Sequence, residues 1–371
     1  MNLSYWEYKT WLSNVDFTIV GSGIVGLNCA LYLKREFPKA KILTLEKGLL
    51  PQGGSTKNAG FACFGSISEI LADLKSHTSD DVRQLVKRRY EGIKLLRENL
   101  GDGPMDFQNY GGHEVFLKDH QHLYEECLDN LEEANSLLKP IFNAAPFKVQ
   151  SNTFNFQGVQ QNYISNSFEG QINTGKMMKA LLHKVQKSGV SILNSIEVES
   201  YLEQLDHVEV QTDRFQFKTK HLFVATNAFA SQLIPEKVKP ARAQVLITKP
   251  IPNLNLKGTF HLDEGYYYFR NVEDRILLGG GRNLDFKGEE TTVFGVSTKI
   301  QQRLEEMLHS IIIPHTPVEI DRRWSGIMGV GGQKQPIVKQ LSNRVFCGVR
   351  MGGMGIAIGS MVGKELAYLA K

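Results

Sequence analysis

Asp16-Phe17-Thr18-Ile19-Val20-Gly21-Ser22-Gly23-Ile24-Val25-Gly26-Leu27-Asn28-Cys29-Ala30-Leu31 is the stretch on which the fold turns. Asp16 to Val20 reads as an apolar strand, Gly21 to Gly26 as a glycine turn, and the residues from Leu27 as an apolar helix. A second strand pattern, Lys41 to Leu45, follows and ends on Glu46. In that order the elements form a βαβ unit of the dinucleotide-binding kind. Gly21 allows the tight turn, Gly23 lets the backbone approach a pyrophosphate, and Gly26 lets the helix lie close on the strand. The helix N-terminus then presents free N–H groups and a partial positive charge to the phosphates. Glu46, about twenty residues past Gly26, is placed to accept hydrogen bonds from a ribose.

The composition is that of an ordinary globular enzyme. Of 371 residues, 42% are apolar and 22% charged, and the length suits about two domains. A net charge of +4 is mild for so long a chain. Lys87-Arg88-Arg89 falls in an amphipathic helix pattern and reads as a solvated face, so no nucleic-acid partner is expected. Cys29, Cys63, Cys127 and Cys347 are scattered without metal-ligand spacing, which predicts no metal and a reducing compartment. The uncharged run Phe17 to Leu33 contains the glycine turn and has no basic segment before it, so it is not read as a leader. No stretch reads as a transmembrane segment, and a cytoplasmic location is expected.

Further along, Gly53-Gly54-Ser55-Thr56-Lys57-Asn58-Ala59-Gly60-Phe61 is too rich in small residues to build a core. Helices are predicted from about Ser68 to His77, after Ser79-Asp80-Asp81, from Gln121 to Leu138, and from Gln171 to Lys187. Strands are predicted at Glu114–Leu117, Val190–Leu193, Ser195–Val198 and His221–Ala225, with an antiparallel patch from Val208 to Phe217. Alternation from Val245 to Gly280 predicts a β-sheet, followed by a helix from Val296 to Leu308 and a strand from Val318 to Trp324. The chain closes on a strand, Val345–Gly348, the turn Gly352-Gly353-Met354-Gly355 and an apolar helix to Ala370. A nucleotide-binding start and a second glycine-rich strand-to-helix junction at the far end imply interleaved domains. A long flavin cofactor requires such a return, because its ring needs an element beyond the first βαβ unit. The expected FAD-binding domain is residues 1–85, 155–230 and 325–371, and the substrate domain residues 86–154 and 231–324. The helix N-terminus at Met354–Gly355 would face the flavin and stabilise its anionic reduced form.

Taken together, these residues resemble the D-amino-acid oxidase, glycine oxidase and sarcosine oxidase family of FAD-dependent oxidoreductases. The resemblance rests on GSGIVG with Glu46-Lys47, GGSTKNAGF, ATNAF, YYYFR, RRWSG and GMGIAIGS, which occur in the family's order. It implies an α/β fold: a doubly wound, Rossmann-like FAD domain with an interleaved antiparallel-sheet substrate domain. It implies that Gly54, Ser55, Ala59, Gly60 and Phe61 lie along the diphosphate, ribityl chain and flavin. Val198 would meet the adenine through its backbone, Thr226 would sit by the ADP, and Arg350 to Ile356, with Gly353, Met354 and Gly355, would border the ring and substrate cavity. The chemistry implied is oxidation of a C–N bond of an amino acid or secondary amine, with an imine product that water hydrolyses. Oxygen or a quinone would take the electrons.

The chain also departs from its relatives. Where some of them place a carboxylate-binding arginine or a flavin-linking cysteine after the tryptophan, Trp324-Ser325-Gly326-Ile327 is followed by Met328. Non-covalent FAD is therefore expected. A second arginine of the family lies just after the last strand, and the resemblance makes Arg350 its match and the carboxylate partner. An oxygen-activating lysine of sarcosine oxidase would fall near Leu277, where none exists. Tyr267, or its neighbour Tyr268, and Arg270 are the further substrate-site candidates. Lys57 lies within the segment that the resemblance places along the flavin and could face the ring or stand as an ordinary surface lysine. Cys63 reads as an inert thiol, Arg282 as a solvated turn residue, and His113 and His261 as ordinary polar residues without partners. Two other readings of the same motifs are a flavoprotein that modifies a base in tRNA and a flavin-binding protein without amine turnover.

Overall fold

The computed structural model describes residues 2–371. Two eight-stranded sheets organise it, and a two-stranded ribbon pairs Phe61–Ala62 with Gly170–Gln171. The first sheet has a parallel centre: Val345–Val349, Gln216–Val224, Val15–Val20, Ile42–Glu46 and Ser191–Asn194 lie side by side in that order. Val15–Val20, Ile42–Glu46 and Val345–Val349 are buried along almost their whole length, as cover on both faces demands. Phe17, Ile19, Ile42, Phe223 and Phe346 pack under the helices Ile24–Glu36, Thr174–Lys187 and Gly355–Tyr368. Leu43, Leu45 and Leu222 face the other way, toward the antiparallel ribbon Val198–Glu203 and Val208–Thr212.

The second sheet is mostly antiparallel. Its order is Ile320–Val330, Lys239–Thr248, Arg275–Gly280, Tyr267–Val272, Thr259–Leu262, Gly112–Glu114, Asn162–Asn166 and Phe147–Ser151. One face packs on the helix Thr298–Met307 and the turn after it, with Leu246, Phe260, Tyr267, Phe269 and Leu278 in that core. The alternate residues, Val245, His261, Tyr268 and Leu277, point to the first sheet's side.

The elements fall close to their predicted places, with instructive exceptions. The helix expected from Gln121 to Leu138 breaks into Gln121–Asp129 and Leu131–Phe142, because the Asn130 side chain turns back onto the Glu126 carbonyl. The strand expected at Ser195–Val198 begins only at Val198, since Ser195 is a turn residue with φ 59°. The strand expected at Glu114–Leu117 is Gly112–Glu114. Ile320–Val330 runs as one strand of the second sheet, across the domain boundary expected at residue 325. Asn162–Asn166 also joins the second sheet, although its residues fall in a segment expected in the FAD domain. No helix among the described residues is long and apolar enough to cross a membrane.

Candidate active site

A cavity of ≈ 920 Å³ lies between the sheets, beyond the C-terminal ends of the first sheet's parallel strands. That is where an open α/β sheet leaves room for a ligand. One end is lined by Gly21, Gly23, Glu46, Lys47, Val198 and Thr226, and the middle by Gly54, Ser55, Ala59, Gly60 and Phe61. Gly353, Met354, Gly355 and Ile356 border it from the C-terminal segment. The fold thus gathers along one cavity the residues that the resemblance assigned to the cofactor. Gly26 stands behind them: a Cβ there would lie 1.9 Å from the Gly21 carbonyl oxygen, so only glycine lets the helix seat on the turn. Gly21 itself has φ 102°.

Glu46 does more than was expected of it. Its Oε2 accepts the Ser22 N–H at 3.0 Å and the Ser22 hydroxyl at 2.8 Å, and Oε1 accepts the Gly48 N–H at 2.9 Å. The carboxylate therefore braces the glycine turn while Glu46 lines the cavity. Lys47 pairs with Glu197 at 2.6 Å. The Ser55 hydroxyl accepts the Ile24 N–H at 2.9 Å, joining the GGSTKNAGF segment to the start of the first helix.

These features fit a bound FAD on observations of the chain itself. Thr226 lines the cavity, and its hydroxyl is buried without a partner, which costs free energy unless a ligand supplies one. No side chain caps the first turn of Ile24–Glu36 from its own N-cap, Gly23, or that of Gly355–Tyr368, so their N-termini keep donors for an anionic group. Asn227, which the sequence did not mark as a site residue, locks the arrangement. Its Oδ1 accepts the N–H groups of Arg350 and Met351, both at 3.1 Å. That acceptor holds the strand-end turn against the C-terminal loop, where Arg350 adopts φ 66°.

The other end of the cavity is built from side chains. Tyr268 and His261, opposite one another on adjacent strands, both line it. Burial pushes the Tyr268 phenol up to about 12. Tyr267 does not line it: the pleat sends Tyr267 into the core under the second sheet, 4% exposed. Arg270 does not line it either. Its Nε donates to the Ala59 carbonyl and its Nη2 to the Ile172 carbonyl at 2.8 Å, so it clamps the cofactor segment from behind. Burial lowers its pKa to about 10. Arg350 reaches the rim, with Nε donating to the Gln335 carbonyl at 3.0 Å. Lys57 lies over the Phe294 ring, 5.3 Å from its centroid. Arg282 borders the cavity as well.

His261, expected to lack a partner, has one 92 residues away in the chain: its Nε2 lies 3.0 Å from Glu169 Oε2, and Glu169 is 1% exposed. Burial alone would lower the imidazole's pKa, but the Glu169 carboxylate outweighs it and raises it to about 9. Cys63, buried beside the pair, brings its sulfur within 4.8 Å of these ligand atoms. Burial drives its thiol well above the usual range, as expected of an inert cysteine. Deeper, Glu114 accepts the N–H and hydroxyl of Ser68, and burial pushes its carboxyl up to about 7.

The basic triplet divides in the structure. Lys87 is exposed and Arg88 pairs with Glu365, but Arg89 is 5% exposed and lines the cavity. The signal was present in the helix Ser79–Leu100: Val82, Val86, Arg89, Ile93 and Leu96 recur at alternating spacings of about four and three, so Arg89 occupies a core position on an apolar stripe.

Comparison with known proteins agrees with this arrangement. Residues 16–369 match the DAO family, described as FAD dependent oxidoreductase. The chain is 21% identical over 377 residues to the probable oxidoreductase OrdL of Haemophilus influenzae, covering 96% of this chain and 83% of the relative. Among solved structures, glycine oxidase from Geobacillus kaustophilus superposes with a TM-score of 0.75 at 18% identity, covering 95% of this chain and 94% of that one. Iminodiacetate oxidase from Chelativorans sp. BNC1 gives a TM-score of 0.76 at 16% identity, with 95% of each chain covered. A glycine-turn βαβ unit, a C-terminal helix returned to the same cavity and a family match across nearly the whole length lead to one conclusion: this chain belongs to the DAO family of FAD-dependent oxidoreductases.

Proposed function

We propose that the enzyme oxidises the C–N bond of an amino acid or secondary amine. The observation that carries this is the two-part cavity: a backbone-built cofactor track opens onto a pocket walled by Tyr268, His261, Arg89 and Met354. The relatives that share the fold include a glycine oxidase and an iminodiacetate oxidase, both named for small amino-acid substrates. FAD supplies the two-electron acceptor for hydride equivalents leaving the amine-bearing carbon. The chain's own residues position and desolvate. Gly21, Gly23, Ser55 and Thr226 would hold the dinucleotide, Val198 would meet the adenine, and the N-terminus of Gly355–Tyr368 would offer its dipole to an anionic group bound there. Tyr268 and the apolar walls exclude water and fix the substrate's pose. Arg350 at the rim draws an anionic substrate inward. The cofactor is held without a covalent bond, in keeping with Met328 and with four buried cysteines. Oxygen or a quinone would be the final electron acceptor.

The test is anaerobic addition of D- and L-amino acids, sarcosine and polyamine derivatives to the FAD-loaded protein. Bleaching of the flavin band by a member of the panel is the expected result, and readmitting air separates an oxidase from a dehydrogenase. A yellow protein that no amine bleaches overturns the reading.

A further inference from the structure

Among the cationic side chains on or just behind the cavity wall, His261, Arg270, Arg350 and Arg89 differ in how their charge is met. His261 is balanced by Glu169. Arg270 lies behind the cavity with two of its guanidinium nitrogens on carbonyl oxygens. Arg350 sits at the rim, half-buried, and shares its charge with solvent. Arg89 alone among them is buried on the cavity wall with no carboxylate at ion-pair distance. Its Nη1 donates to the Phe64 carbonyl at 2.8 Å, its Nε is buried with no partner, and its Nη2 makes no hydrogen bond in the protein. Glu69, which lines the same end, is committed to the Ser66 N–H at 2.9 Å and does not pair with it.

A guanidinium cannot shed its charge by losing a proton, and burying it without an anion is strongly unfavourable. Leucine or methionine would pack the stripe of Val82, Val86, Ile93 and Leu96 without that cost. The placement makes physical sense if the missing anion arrives with a ligand. We propose that Arg89 is the anchor for a carboxylate group of the substrate, deep in the cavity, in the place of the arginine that Met328 does not supply. This rests on the amine-oxidation reading for the substrate's identity, but not for the binding event. The bond to Phe64 fixes Nη1, and Nη2 has no partner in the protein and is left for a ligand. A planar fork so held matches a carboxylate better than an amide or an alcohol of the same size.

The experiment uses the FAD-loaded protein and two probes that carry no amine, propionate and propionamide, titrated by calorimetry. The wild type is expected to bind propionate in preference to propionamide. Arg89→Gln should weaken propionate about tenfold or more and leave propionamide unchanged, because a charge-assisted fork is lost. Arg350→Gln should change propionate binding by no more than about threefold, as a rim charge does. Absence of a propionate preference in the wild type, or unchanged propionate affinity in Arg89→Gln, overturns the proposal. If Arg89→Gln fails to load FAD, Arg89→Lys keeps a cation that can reach the Phe64 carbonyl. It should bind propionate about tenfold more weakly through loss of the fork, and wild-type affinity there also overturns the anchor. The two readings fail separately. Propionate binding that tracks Arg89 with no amine bleaching the flavin retains the anchor and removes the amine chemistry. Bleaching with unchanged propionate affinity in the variant removes the anchor alone.

Discussion

The two ends of the cavity are made of different material. The dinucleotide end is built of backbone: a glycine turn, two helix starts that their own N-cap residues leave uncapped, and a few small side chains. The substrate end is built of side chains from five separate segments, among them Arg89, Glu169, His261, Tyr268 and Met354. Backbone geometry is encoded locally, by which residues permit a φ or a close approach. Side-chain constellations arise only when distant strands come into register. The first kind of site tolerates almost no change at its glycines and considerable change elsewhere. The second can change its chemistry one residue at a time on an unchanged frame.

The largest effect is expected from breaking the backbone end. Gly26→Ala places a Cβ against the Gly21 carbonyl oxygen, so the helix must shift off the turn. Several kcal/mol of destabilisation is expected, about 3 or more, with loss of flavin from the purified protein. A variant that stays yellow and melts normally would contradict the close-contact account. Next is Asn227→Ala, which removes one acceptor from two N–H groups at the joint between the ends. A loss of about 1–3 kcal/mol is expected, read as a lower melting temperature together with weaker FAD retention.

The substrate end should answer to pH instead. The His261 pKa is near 6.5 in an unfolded chain and is raised to about 9 in the fold, so its contribution to stability is full below about 6.5 and is lost as the pH rises toward 9. Melting temperature should fall across that window in the wild type, and His261→Asn should flatten the fall. The same slope in both proteins would show that the Glu169 pair does not hold the proton. Thr226→Ala sharpens the comparison from the cofactor side. Its hydroxyl has no partner in the protein, so the flavin-free protein should melt as the wild type does, while FAD affinity drops by about tenfold or less. The smallest effect belongs to Tyr267→Phe, which lies under the sheet and should leave the substrate's KM unaltered, whereas Tyr268→Phe should move it.

Much of this was legible beforehand, for reasons tied to particular residues. Gly21, Gly23, Gly26 and Glu46 carry their meaning in spacing, and the structure puts Gly21, Gly23 and Glu46 on the cavity wall with Gly26 directly behind. Arg270 shares the Tyr268 face, but the Ala59 and Ile172 carbonyls hold its guanidinium behind the cavity wall. Tyr267 misses the cavity for another reason: alternation identifies two faces of a strand without saying which one meets the cavity. That choice falls to the helix Thr298–Met307, which covers the Tyr267 face and leaves Tyr268 to the site. Arg89 was read as a solvated charge because its two basic neighbours hid its place on the apolar stripe of Val82, Val86, Ile93 and Leu96. Its heptad position was the available clue.

By itself, then, the sequence determined the dinucleotide-binding start, the return of the C-terminal helix and the family, since turns, caps and periodicity are local properties. Tertiary structure alone decided that Glu169 reaches His261 across 92 residues, that Asn227 ties two segments 123 residues apart, and that Arg89 is buried without an anion. Those contacts depend on register between strands and on which face is covered, and no short stretch of chain contains that information.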